Sequence, residues 1–199
     1  MSTLETNLVQ PSTGSTLTLA AAGDTISIPS GATIANSGTA TGFGKVLQVV
    51  QAVKTDTAST TSSTLATTGL EASITPSATS SKVLILISAN LGTKDDVAPY
   101  FQINRGSTVL TGALGDAAGS RVRTAARTQQ QYSIYSIFPV PIIYLDSPSS
   151  TSALTYKLMW AQGVPGSSNA SYINRTATDT DSAGYGRSSS TITVMEIGA

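Results

Sequence analysis

Residues 82–90, Lys-Val-Leu-Ile-Leu-Ile-Ser-Ala-Asn, restrict the fold more than any other stretch of the chain. A turn-rich run at 76–81 precedes them and Gly92 follows, so the segment has the length of a strand. Strand side chains alternate between faces. Val83, Ile85 and Ile87 therefore line one face, while Leu84 and Leu86 line the other. Both faces are apolar and both need cover. In an antiparallel protein one cover is the partner sheet of a sandwich. The other is expected to be a neighbouring subunit or the chain's own N-terminal arm, which makes Leu84 and Leu86 candidate subunit-packing residues.

What surrounds this strand narrows the function classes. Of 199 residues only 11% are charged, against 40% hydrophobic, and the formal net charge is zero. Nucleic-acid binding needs a basic surface, and a polybasic membrane contact needs one too, so neither partner is expected. Without cysteine there are no disulfides. Without histidine the commonest general base, the Ser–His and Cys–His pairs and most zinc sites are excluded. The opening residues show no basic and apolar signal pattern, and no apolar run approaches the ~20 residues of a membrane helix. The expectation is a soluble protein made in a cytoplasm, with no membrane insertion, no enzyme activity and no cofactor.

Residues 1–43 differ in kind from the rest. Short β-like pieces at 16–19 and 25–28 are separated by Gly23-Asp24 and Pro29-Ser30-Gly31, and pieces so short cannot bury a core alone. The recurring Ile26, Ile28 and Ile34 mark this segment as an attachment arm that docks on a partner. Gly42-Phe43-Gly44 is the boundary, and 44–199 form the main domain. Strands are expected at 46–53, 70–75, 82–90, 154–161, 172–175 and 189–197, with a hairpin at 100–110 around Arg105-Gly106-Ser107. The stretch 111–131 reads as a long loop or one holding a short helix at 124–131. A second strongly apolar run spans 132–145. Pro139 and Pro141, two residues apart, lack N–H groups on the same side of it, which predicts a sheet edge or a switch between sheets. The β-branched end of the chain reads as an interior strand. About eight strands without a confident helix predict an all-β protein, an antiparallel jelly-roll sandwich preceded by an extended arm of short strands.

Several of these stretches carry a resemblance. Asp-Thr-Ile-Ser-Ile-Pro-Ser-Gly-Ala-Thr-Ile at 24–34 resembles the N-terminal shaft pieces of tail-fibre-like proteins of marine tailed bacteriophages. Gly-Lys-Val-Leu-Gln-Val-Val-Gln at 44–51 resembles the opening strand of the globular domain that follows such pieces, and 81–88, 144–148, 172–175 and 190–197 resemble its later strands. The resemblance implies a virion structural protein, assembled in the host cytoplasm. It would be a homotrimer with a jelly-roll head of the tumour-necrosis-factor type on a short N-terminal attachment segment, bound to other virion proteins of tail or capsid. The almost absent shaft leaves two mountings open: a host-attaching tail fibre, or a head fibre decorating and stabilising the capsid.

Candidate contact residues follow from chemistry. Arg121, Arg123 and Arg127 would grip a phosphate or acidic sugar of a bacterial surface, or pair with carboxylates across a subunit interface, the favoured reading. Tyr172 and Tyr185, near Asn169, Asn174 and Arg187, have the flat rings and polar groups of a glycan platform, or of interface packing. Trp160, in an alternating strand, belongs to the core. Asp179-Thr180-Asp181 has the alternating carboxylates of a calcium loop without its remaining ligands, so a solvated loop and no metal are expected. A glycosidase needs two carboxylates facing each other ~5–10 Å apart. Eleven scattered acidic residues offer no such pair, so a surface-glycan depolymerase is the weakest reading.

Overall fold

The structure, a computed structural model, describes residues 25–32, 45–94, 97–128, 133–164 and 167–198. The chain divides into two units, Met1–Phe43 and Gly44–Ala199. In the first, the described residues 25–32 form no ladder, turn at Ser30-Gly31 and leave Ile26 and Ile28 exposed. Ile34, the third isoleucine of the expected docking arm, lies outside the described residues, as do Asp24, Gln129, Gln130, Gln131 and Tyr132.

The second unit is built from strands β1 (Val46–Lys54), β2 (Ala58–Thr60), β3 (Ala66–Ile74), β4 (Lys82–Thr93), β5 (Tyr100–Arg105), β6 (Thr108–Val109), β7 (Ala126–Arg127), β8 (Phe138–Asp146), β9 (Leu154–Ala161), β10 (Ser171–Ile173) and β11 (Ser190–Ile197). Their pairing explains the fold. β1 pairs β11, β3 pairs β9, β4 pairs β8, and β5 pairs the short β6 and β7, all antiparallel. Four nested pairs of this kind describe one long hairpin ribbon. Rolled up, the ribbon gives two sheets, β1-β11-β4-β8 and β3-β9-β5 with β6 and β7. That order is a jelly roll. β10 and β2 extend the first sheet alongside the far end of β4.

The central apolar run is the spine of the first sheet. β4 carries β11 on one side, beside residues 82–88, and β8 on the other, beside residues 83–91. Its alternation sends Val83, Ile85, Ile87, Ala89 and Leu91 into the core against Leu70, Ile74, Phe101, Ile103, Tyr156, Leu158 and Trp160 of the second sheet. Trp160 is buried, as its pattern predicts. β11 is interior, between β1 and β4. Among the described residues β8 pairs with β4 alone, so its two prolines turn their missing donors toward an open edge.

Four local readings need correction. β4 continues through Gly92 to Thr93, because β10 lies against its end and Gly92 packs where a Cβ would overlap the Arg175 carbonyl oxygen. The hydroxyl-rich stretch after β1 contains β2, which pairs β10 and was hidden by its polar composition. β3 begins at Ala66, and an irregularity between Thr67 and Glu71 disguises its period. Among the described residues of 111–131 the helical alternative gives way to a 3-10 turn at Thr111–Ala113 and the two-residue β7.

Candidate functional site

The two outer faces of the sandwich differ in chemistry. On the second sheet, cross-strand neighbours include Glu71 beside Lys157, with their charges 3.5 Å apart, and Ser73 beside Thr155, with hydroxyls 2.7 Å apart. Asn104 extends the first of these rows on β5. Glu71 and Ser73 are exposed, while Gln102 on β5 is buried under the loop that carries Arg123.

On the first sheet the register aligns Leu145, Leu84, Met195 and Val49 in one row across β8, β4, β11 and β1. Ile143, Leu86, Thr193 and Gln51 form the next row, and Pro141, Ser88, Thr191 and Val53 a third. At the margin lie Lys82, Ile197 and Val46, and Lys82 is the one ionisable side chain of these rows. Ile143 is 69% exposed, Val49 55% and Leu145 45%. Leu84 and Leu86 are half-buried by these neighbours. An outward sheet face normally alternates to polar residues; here Gln51, Thr193, Ser88, Thr191 and Lys82 are the polar members and the other positions of these rows are apolar. Two of its central polar side chains are joined, since the Gln51 amide donates to the Thr193 hydroxyl at 2.9 Å.

A second feature lies in the connection from β10 to β11. Asp179, Thr180, Asp181, Ser182, Tyr185 and Arg187 line a cleft of about 340 Å3. Arg187 donates to both Asp179 oxygens, at 2.7 and 2.8 Å, a bidentate pair that fixes the cleft wall. Tyr135, just before β8, packs its ring 5.0 Å from that of Tyr185 at a tilt of 41°. The Tyr185 hydroxyl beside it, with a smaller contribution from burial, raises the Tyr135 phenol above its ordinary value.

The residues singled out by chemistry separate into different settings. Tyr185 and Arg187 share the cleft. Tyr172 on β10 already has the Arg175 guanidinium over its ring at 3.7 Å, so that face of the ring is covered. Asn174 is fully buried and faces inward, which conflicts with a role in surface contact. Its amide donates to the Lys54 and Asp56 carbonyls at 2.8 and 2.9 Å and accepts the Ser190 hydroxyl at 2.6 Å. Its backbone has φ 64°, a left-handed conformation that Asn tolerates better than most residues. Asn174 thus ties the end of β1 and the β1–β2 connection to the start of β11. Arg123 donates to the Gly115 and Thr111 carbonyls and Arg127 to the Gly163 carbonyl, which pins loops onto the second sheet. Arg121 is exposed.

Two buried carboxylates went unnoticed in the sequence. Asp146, at the end of β8, accepts from Arg105 at 2.7 Å and from the Tyr156 hydroxyl at 2.8 Å, joining the two sheets. Burial first, then this bond and the Asp146 charge, push the Tyr156 phenol far above its ordinary value. Glu196 on β11 accepts from the Ser77 N–H at 2.7 Å and from the Ser77 and Ser81 hydroxyls at 2.6 and 2.8 Å. Burial would raise its carboxyl, but these three donors outweigh burial and hold it below the usual carboxylate range.

No protein-family description and no curated protein matches the sequence. Among solved structures the chain is similar to the crystal structure of the infectious bursal disease virus VP2 subviral particle. The two are 12% identical with a TM-score of 0.33, over 76% of this chain and 41% of that one. The chain thus spans less than half the length of that protein.

Proposed function

We propose that the protein is a non-enzymatic structural and binding component of a bacteriophage particle. In this reading it is a short homotrimeric fibre or spike, held by its N-terminal segment with Ile26, Ile28 and Ile34 against another virion protein, its jelly-roll head turned outward to a host surface. The observation that carries the reading is the contrast between the two sheets. One outer face has an ion pair and paired hydroxyls, and the other has rows of mostly aliphatic side chains with a single lysine at the margin. A face of that kind belongs to a subunit of an assembly. The resemblance of 24–34 and 44–51 to phage fibre proteins supports the trimer and the particle. Host contact falls to exposed loops such as the cleft with Asp181, Tyr185 and Arg187, where three weak sites per trimer would act by avidity.

The test is gold labelling of intact phage particles with an antibody raised against residues 44–199. Label on projections from the tail supports the fibre. Label spread over the shell moves the protein to capsid decoration. Intact particles that bind no antibody while the free chain does would overturn the virion reading.

A further inference from the structure

The outer face of β1, β11, β4 and β8 also carries an inference about geometry, which rests on the oligomeric reading just proposed. We infer that this face is the contact between copies: each copy turns Val49, Leu84, Ile143, Leu145 and Met195 toward the same face of its neighbours, making a second, intermolecular apolar core.

Four observations converge on a like copy as the occupant. Size is the first. Val46, Val49, Val53, Ile143 and Leu145, with the half-buried Leu84, Leu86 and Met195, leave on the order of 600 Å2 of mostly apolar surface uncovered. That is the upper end for a patch on a soluble monomer, and it approaches the ~800 Å2 each partner contributes to a standard interface. Charge is the second. The rows contain no ionisable group apart from Lys82 at the margin, so one face meets its own copy without like-charge repulsion. Third, the Gln51 amide already donates to the Thr193 hydroxyl within one copy, so covering this pair keeps that bond. Finally, the neighbouring edge is closed to strand addition, because Pro139 and Pro141 on β8 lack the N–H groups that an added strand would need. Strand addition at the β8 edge is therefore disfavoured, which leaves the face itself as the larger contact surface there. Because the opposite face is polar, assembly stops once the apolar faces are covered.

The absence of cysteine from the sequence makes the test clean, since one introduced thiol is the only thiol. Ile143→Cys places it at the most exposed point of the face, and Ser73→Cys places a control on the polar sheet. Labelling by a small maleimide is timed on each full-length variant in native buffer, with mass in solution measured on the same sample. The expected result is a multimeric mass with Ile143→Cys labelled at least tenfold more slowly than Ser73→Cys, and equal rates in denaturant. Equal native rates in a multimer would overturn the inference and leave the oligomeric reading standing. Equal rates at the mass of one chain would remove both. Slow labelling at the mass of one chain would place a segment of the same chain over the face and overturn the inference as well. Should Ile143→Cys fail to fold, Val49→Cys probes the far side of the same face by the same comparison.

Discussion

Replacing Asn174 examines how the jelly roll is tied together at the β10 end. Its side chain makes three bonds at a fully buried site: two to carbonyls flanking the β1–β2 connection, and one from the first residue of β11. Asn174→Ala removes all three and leaves two carbonyls and a hydroxyl without those partners, at about 1 kcal/mol each for the bonds. Alanine must also adopt φ 64°, which adds about 1 kcal/mol. The expected loss is therefore about 4 kcal/mol. Asn174→Gly loses the same bonds but accepts the conformation freely, and should recover about 1 kcal/mol relative to alanine. Asn174→Asp keeps the acceptor for Ser190 yet opposes a carboxylate oxygen to two carbonyl oxygens, and should be at least as damaging as alanine. Urea midpoints at one fixed chain concentration give the comparison, because any association of copies would link stability to concentration. An alanine variant within 1 kcal/mol of the parent would refute the reasoning, as would a glycine variant no better than alanine.

The other predictions concern separate contacts. Glu196 has a folded-state value below its unfolded one, so its contribution is complete at neutral pH and fades as pH falls below about 4.5. Glu196→Gln should cost about 1–2 kcal/mol at pH 7 and progressively less at pH 3.5, read from urea midpoints at both; a pH-independent difference would contradict the assignment. Gly92→Ala drives a Cβ into the Arg175 carbonyl and the Thr176 backbone and should cost at least about 2 kcal/mol, with β10 the first element to lose amide protection in hydrogen exchange. Arg187→Ala breaks a pair whose side chains are 58% and 46% exposed, and should move stability by no more than about 0.5 kcal/mol in thermal unfolding. Leu84→Asp puts a charge in the middle of the apolar face, and should give aggregated or unfolded chain; a soluble, folded single chain would speak against the need for cover.

The sandwich was legible in the sequence because its longest strands carry aliphatic alternation strong enough to survive any context. Residues 82–90 alone implied a strand with Val83, Ile85 and Ile87 packed on a partner sheet, and the spacing of Pro139 and Pro141 implied the open edge that β8 occupies. The partners of Leu84 and Leu86 were harder to see. Ile143 and Leu145 sit in an apolar run as conspicuous as the central one, but only the register shows which residues of β8, β11 and β1 stand beside them. Asn174 was misplaced for a related reason. An Asn between an Ile and an Arg looks like a surface residue, and its inward turn comes from a left-handed backbone that composition does not reveal. Asp146 and Glu196 lie in apolar strands, and their donors are remote in sequence, which pattern reading cannot join. β2 escaped because three small residues, Ala58, Ser59 and Thr60, make a strand only when β10 supplies the ladder.

The central claim is that the chain is a building block, with one sheet face that exists to be covered by its own kind. Multi-angle light scattering of the full-length protein at low micromolar concentration tests this most directly. The account predicts a single species at three times the 20.3 kDa chain mass. A stable, well-folded species at 20.3 kDa would contradict it.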